Sequence, residues 1–145
     1  MKRFSLLILC LTLTGCIEKN QQANTGTKIQ TTVPDGHSSQ NSLDWAGTYS
    51  GIPPCASCRT IKMEIVLKND GRYEQTGVYE YDGESDVVFA SGSFSWNESG
   101  STITLNNAEK PNQFFVGENY LVKLDMNGNQ ITGDLADKYI LTKNK

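Results

Sequence analysis

From Thr60 to Lys68 the chain alternates without a break. Ile61, Met63, Ile65 and Leu67 fall on one face, and Lys62, Glu64 and Lys68 on the other. A period of two suits a half-buried strand and gives a helix no continuous apolar face. Asn69-Asp70-Gly71 follows, three residues that tolerate positive φ, and marks a hairpin. The same grammar runs on to the C-terminus. Between Arg72 and Tyr81, the side chains of Tyr73, Tyr79 and Tyr81 are in phase around Gln75 and Gly77. Asp82 to Ser85 forms a turn. Val87 to Trp96 then places Val88, Ala90, Gly92, Phe94 and Trp96 on one face, with Gly92 suited to a bend. Shorter strands are expected at 45–51, 102–105, 113–116, 120–125 and 139–142, with a brief return at Ile131. No stretch shows helical periodicity for more than about one turn. Regularly spaced short strands predict an all-β fold, a small antiparallel up-and-down β-barrel of about eight strands with Trp45 and Trp96 largely buried. A closed barrel leaves no exposed edge. A sandwich is the alternative that periodicity does not separate from it.

The N-terminus has a different character. Met1-Lys2-Arg3 is basic, Phe4 to Leu13 is apolar, and Leu13-Thr14-Gly15-Cys16 closes the segment. An apolar run of ten residues is half of the roughly 20 that span a bilayer. The layout is that of a bacterial lipoprotein signal, residues 1–15, cleaved before Cys16, whose thiol then carries the lipid. Residues 16–42 read as the lipidated cysteine and a disordered tether rich in Asn, Gln, Thr and Ser, too polar to build a core. A flexible coil of that length spans on the order of 30 Å, and about 90 Å fully extended. Residues 43–145 form the single β domain. Loss of Lys2 and Arg3 takes the net charge from −3 to −5. With no basic run, neither a nucleic acid nor a polybasic membrane contact is expected, and membrane attachment rests on the acyl chains at Cys16.

Cys10 leaves with the signal and Cys16 is consumed by lipid, so Cys55 and Cys58 remain as a C-x-x-C pair in an oxidising compartment. They follow Pro53-Pro54, which fixes φ and removes two donors, so the pair lies in a loop between strands. Three chemistries suit it. A disulfide would staple the loop, yielding only about 2 kcal/mol because the ring is so short. Two thiolates suit Cu(I), whereas a closed zinc site needs four ligands. Met63, Met126 and His37 are weak candidates for further ligands, Met63 being better placed as core and His37 as a solvated tether residue. Thiol–disulfide exchange is the third, but the pair opens no helix and has one basic neighbour, Arg59. A single histidine in the whole chain removes Ser/His/Asp and His-metal catalysis. Asp70, Asp82, Glu84 and Asp86 read as solvated turn charges. No enzyme activity is expected.

The run Trp45-Ala46-Gly47-Thr48-Tyr49-Ser50-Gly51-Ile52-Pro53-Pro54-Cys55-Ala56-Ser57-Cys58 resembles the N-terminal domain of the NlpE-type copper-resistance and envelope-stress lipoproteins. Trp45, Gly47, Tyr49, Gly51, Pro54, Cys55, Ala56 and Cys58 match that family's W-x-G-x-Y-x-G-x-x-P-C-A-x-C pattern. Leu67, Gly71 and Tyr73, then Gly92 and Trp96, and Leu121, Leu124, Asp125, Gly128, Tyr139 and Leu141 continue the likeness over about 43–142. Ser57 stands where the family often has Asp, and Thr60 where it often has Gly. The chain ends at Lys145, whereas longer members continue into an OB-fold-like second domain, so roles needing that domain are not expected here. The resemblance implies a lipocalin-like barrel, lipid-anchored at the periplasmic face of the outer membrane. Ile17, rather than Asp, after the lipidated cysteine fits that sorting. It also implies copper tolerance and envelope-stress signalling to a two-component sensor kinase by contact. The alternative is a lipocalin-like carrier of a small apolar ligand in which Cys55 and Cys58 are only a staple. A filled barrel with surface thiols would favour the sensor, and a deep apolar cavity the carrier.

The anchor yields a direct expectation. Cys16→Ala abolishes metabolic labelling with a radioactive fatty acid and releases the protein from membranes on fractionation. A variant that stayed membrane-bound would rule out lipidation at Cys16 as the anchor.

Overall fold

The computed structural model describes residues 37–145. The signal peptide, Cys16 and the tether up to residue 36 lie outside the described residues. Eight strands follow one another: β1 (Gly47–Gly51), β2 (Thr60–Leu67), β3 (Arg72–Glu80), β4 (Ser85–Trp96), β5 (Thr102–Leu105), β6 (Gln113–Gly117), β7 (Tyr120–Lys123) and β8 (Ile140–Lys143). Each pairs antiparallel with the next, and β8 pairs back on β1 through Tyr49↔Lys143 and Ser50↔Thr142. The sheet is therefore a closed up-and-down barrel and not a sandwich. The expected return at Ile131 is not a strand. The Asp125 carboxylate accepts N–H bonds from Asn127 and Asn129, both 2.8 Å, and folds the chain into a tight turn with one bridge, Leu124↔Gln130. A 3-10 turn, Ala136–Tyr139, then leads into β8.

Register carries the alternating apolar residues to the inner face. Leu67↔Tyr73, Tyr73↔Gly92, Phe94↔Leu105, Ile103↔Phe114, Val116↔Leu121 and Leu121↔Leu141 are cross-strand pairs. Residues directly opposite in an antiparallel ladder share a face. Tyr49, Ile65, Ile103, Leu105, Phe114, Val116, Leu121 and Leu141 are fully buried there. Gly92 meets the expected need for a small residue by permitting a close approach. A Cβ at this position would lie 2.9 Å from the Asn106 carbonyl oxygen and 3.3 Å from the Tyr73 ring. That same carbonyl accepts the Tyr73 hydroxyl at 2.8 Å.

The β2–β3, β4–β5 and β6–β7 hairpins lie at one end of the barrel, and the β1–β2, β3–β4, β5–β6 and β7–β8 connections at the other. The first end is closed by aromatic packing. Trp45 meets Phe94 and Trp96 edge-on, with ring centroids 5.6 Å apart in both cases. Trp45 and Trp96 are largely buried, as expected, packed against the core and each other at the barrel's end. The boundary at 42/43 moves, because Ser39–Ser42 form a helical turn, α1, docked on this end. Ser39 Oγ donates to the Val116 carbonyl at 2.7 Å, Gln40 N–H to Gly100 at 2.9 Å, and Trp45 Nε1 to the Gln40 carbonyl at 3.0 Å. Backbone bonds of this kind order residues whose side chains are too polar to signal a core.

Tyr49 provides a test of this end. Its hydroxyl donates to the Trp45 carbonyl at 2.7 Å. Burial, and then the Asp44 charge, push its pKa up to about 12 from 10.0. Above pH 10 the unfolded chain gives up this proton first, so stability held at lower pH is lost as pH rises toward 12. The urea midpoint of the wild type therefore falls across that window. Tyr49→Phe costs about 1 kcal/mol at neutral pH and shows a smaller alkaline fall.

Candidate functional site

β1 ends at Gly51, and the chain must cross the rim to begin β2 at Thr60. Pro53 and Pro54 cannot donate to a ladder, so the crossing is irregular backbone. Pro53 is buried and fixes the loop to the barrel, while Ala56 and Ser57 at the tip are exposed. Cys55 and Cys58 flank that tip, half-buried, joined by a disulfide with Cα atoms 5.5 Å apart. The Cys58 N–H donates to Cys55 Sγ at 2.9 Å, and Cys58 Sγ lies 3.5 Å from the Thr60 carbonyl, within reach of a thiol proton after reduction. The Arg59 N–H donates to the Glu80 carbonyl at 2.8 Å and pins the far end of the loop to β3.

Two devices lower a thiol's pKa in exchange catalysts, a helix N-terminus and a free cation. The loop contains no helix, and the Arg59 guanidinium is paired with Asp82 at 2.6 Å. This argues against the exchange chemistry. Of the further metal ligands considered, none joins the pair. Met63 is in the barrel core, Met126 is exposed in the β7–β8 connection, and His37 adjoins Ser38, which packs against Gly100 at the closed end. Among the described residues no group of three or more His, Cys, Asp or Glu could hold a metal. The donor set is two sulfurs, which fits two-coordinate Cu(I) and not a closed zinc site. The turn carboxylates are separated too. Asp70 sits at the closed end, where its hydrogen bond with Arg72 holds its carboxyl below the usual range, whereas Asp82, Glu84 and Asp86 are exposed around the β3–β4 turn at the other end.

The barrel is filled only part-way. A cavity of about 410 Å³ opens at the rim, walled by Ile61, Met63, Tyr79, Val88 and Ala90, with the 107–111 loop and the two prolines at its edge. Lys123 lines it, opposite Phe114 in register. Its Nζ donates to the Pro111 carbonyl at 2.6 Å and stands 5.1 Å from the Phe114 ring centroid. Burial pushes its pKa down. Sequence reasoning passed over this residue, yet a signal existed: Lys123 is in phase with Leu121, so the inner face of β7 carries a charge. The criteria for sensor and carrier are thus each met in part, with thiol-derived sulfurs at the rim and an open apolar mouth beside them.

The cysteine loop and strands β2 to β7 lie within the span of a family model. Residues 49–134 match the NlpE N-terminal domain. This chain belongs to the NlpE N-terminal domain family. A protein from Shewanella oneidensis, described as a candidate lipoprotein and solved at 1.42 Å, is 42% identical over 75% of this chain and 97% of its own, with a TM-score of 0.69. The Cpx pathway activator NlpE from Escherichia coli is 21% identical over 61% of this chain and 46% of its own, with a TM-score of 0.48. No curated protein matches.

In this NlpE-family barrel the disulfide closes a ring of four residues, so its loss is mild. Cys55→Ser with Cys58→Ser lowers the unfolding free energy by about 2 kcal/mol and leaves the far-ultraviolet circular dichroism of the barrel unchanged. Loss of that spectrum would make the pair a structural requirement.

Proposed function

We propose that this NlpE-family lipoprotein is a non-enzymatic envelope sensor, held at the periplasmic face of the outer membrane by acyl chains on Cys16. Its Cys55–Cys58 loop responds to copper and to redox state, and it signals by contact to a two-component sensor kinase. The observation that carries this reading is the position of the two sulfurs. They share one rim loop, with the tip between them exposed, at the end of the barrel opposite the docked N-terminal turn.

The chemistry requires two states. Two electrons and two protons, supplied by an envelope dithiol that becomes a disulfide, convert Cys55–Cys58 to a pair of thiols. Cu(I) displaces both thiol protons, and its preference for soft sulfur donors holds it there without distant residues. The metal-bound and disulfide states exclude each other. The fold tolerates the change because the loop is held independently by buried Pro53 and by the Arg59–Glu80 backbone bond.

The test is Cu(I) titration of the reduced protein against a competing chelator. One Cu(I) binds per reduced chain, none per oxidised chain, and binding is lost in Cys55→Ser or Cys58→Ser. A double variant that binds Cu(I) as well as the wild type would refute the copper reading.

A further inference from the structure

Lys123 is unusual among the described charged residues. Arg59, Lys62, Lys68, Arg72 and Lys143 all pair with carboxylates. Lys110, Lys123, Lys138 and Lys145 form no ion pair among the described residues, and of these Lys123 is the one set in a strand of the barrel, opposite Phe114. Its Nζ meets one backbone carbonyl and one aromatic face. An ammonium in such surroundings is under-compensated, and an arriving anion would relieve the cost.

The cavity next to it has the size and lining of a ligand site. About 410 Å³ lies within the range of roughly 300–1,000 Å³ typical of small-molecule pockets. Its lining combines an apolar wall of Ile61, Met63, Tyr79, Val88 and Ala90 with polar residues that include Glu109 and Lys110, and Met63 adapts to irregular shapes. The apolar surface also continues outward. On β4, Val87, Val88 and Phe89 are 51%, 52% and 75% exposed, and Val88 and Phe89 line the mouth itself. A cation inside, an apolar wall and an apolar path out of the mouth describe a ligand with one charged head and a long tail. A second hollow, on the outer face of β1–β3, is lined partly by Lys62 and Glu64 and offers no free cation to an anionic head, since Lys62 is bound to Glu80.

We propose that the open end of the barrel binds a single acyl chain with an anionic head, the head held by Lys123 and the tail running out past Val88 and Phe89. This site is separate in chemistry from the Cys55–Cys58 pair, and it stands or falls independently of copper binding. Free fatty acids and lysophospholipids share the required chemistry.

The experiment uses the mature chain, residues 16–145, with Cys16→Ala and its disulfide formed, titrated calorimetrically with octanoate, decanoate, dodecanoate, dodecanol and 1-lauroyl lysophosphatidate. Dodecanoate or the lysophosphatidate binds saturably, one per chain, and the tighter of the two identifies the source. Affinity rises about fourfold per added methylene along the acid series. Dodecanol binds at least about tenfold more weakly than dodecanoate, the loss of one charge-assisted hydrogen bond. Lys123→Met removes the difference between acid and alcohol while keeping the alcohol affinity, and Lys123→Arg restores a preference for the acid. Val88→Trp, at a half-exposed position the fold does not depend on, weakens both. Absence of saturable binding by either anion, or an undiminished acid preference in a folded Lys123→Met protein, would overturn the proposal.

Discussion

Pairing of β8 with β1 is the constraint on which the rest of the molecule depends. Without it the sheet would have two open edges and its inner face would lie partly in water. The join is short, with Tyr49 opposite Lys143 and Ser50 opposite Thr142. It is reinforced by the Asn144 N–H donating to the Thr48 carbonyl at 2.7 Å, while the Lys143 N–H, donating to the Asn119 carbonyl at 2.8 Å, ties the other edge of β8 to the β6–β7 turn. Gly51 makes the approach feasible, because a Cβ there would lie 2.8 Å from the Ile140 carbonyl oxygen. Lys143 in turn reaches Asp44, with Nζ–Oδ2 at 3.0 Å. The last strand therefore holds both the first strand and the segment leading into it.

Closure gives the barrel two unlike ends. At one, Trp45, Phe94 and Trp96 pack edge-to-face and the N-terminal turn lies across them. At the other, the four remaining connections meet, three of them long, and the inner side chains thin out to Ala90, Gly77 and half-buried Tyr79. The cysteine loop and the mouth are neighbours because β1 and β2 both end at that rim, and Pro53 and Pro54 line the cavity while leading into the disulfide. This proximity follows from strand order and not from any likeness of residue type.

Much of the architecture was legible from period alone. Strands β2 to β4 and β5 appear in the sequence nearly as they fold, because alternation and turn residues act locally and agree with the final packing. The Ile131 return was misjudged because the side-chain bonds of Asp125 outcompeted strand pairing. Ser39–Ser42 were assigned to the tether because docking through backbone and hydroxyl bonds leaves no apolar trace in composition. Cys55 and Cys58 were legible as a loop pair from Pro53-Pro54 and their spacing. Lys123 was not noticed, since one charge in a short strand is ordinary until its neighbours are known to face inward.

By itself the sequence determined an all-β chain, the phase of each long strand, and the location of the two cysteines in a crossing loop. These are consequences of backbone geometry within a few residues. Only the tertiary structure decided that the sheet closes instead of forming two layers, which end is sealed, and that Lys123 stands beside an apolar cavity lined by residues from β2, β3 and β4. Those outcomes depend on pairings between residues far apart in the chain, such as Tyr49 with Lys143, and no local pattern encodes which distant partner completes a ladder.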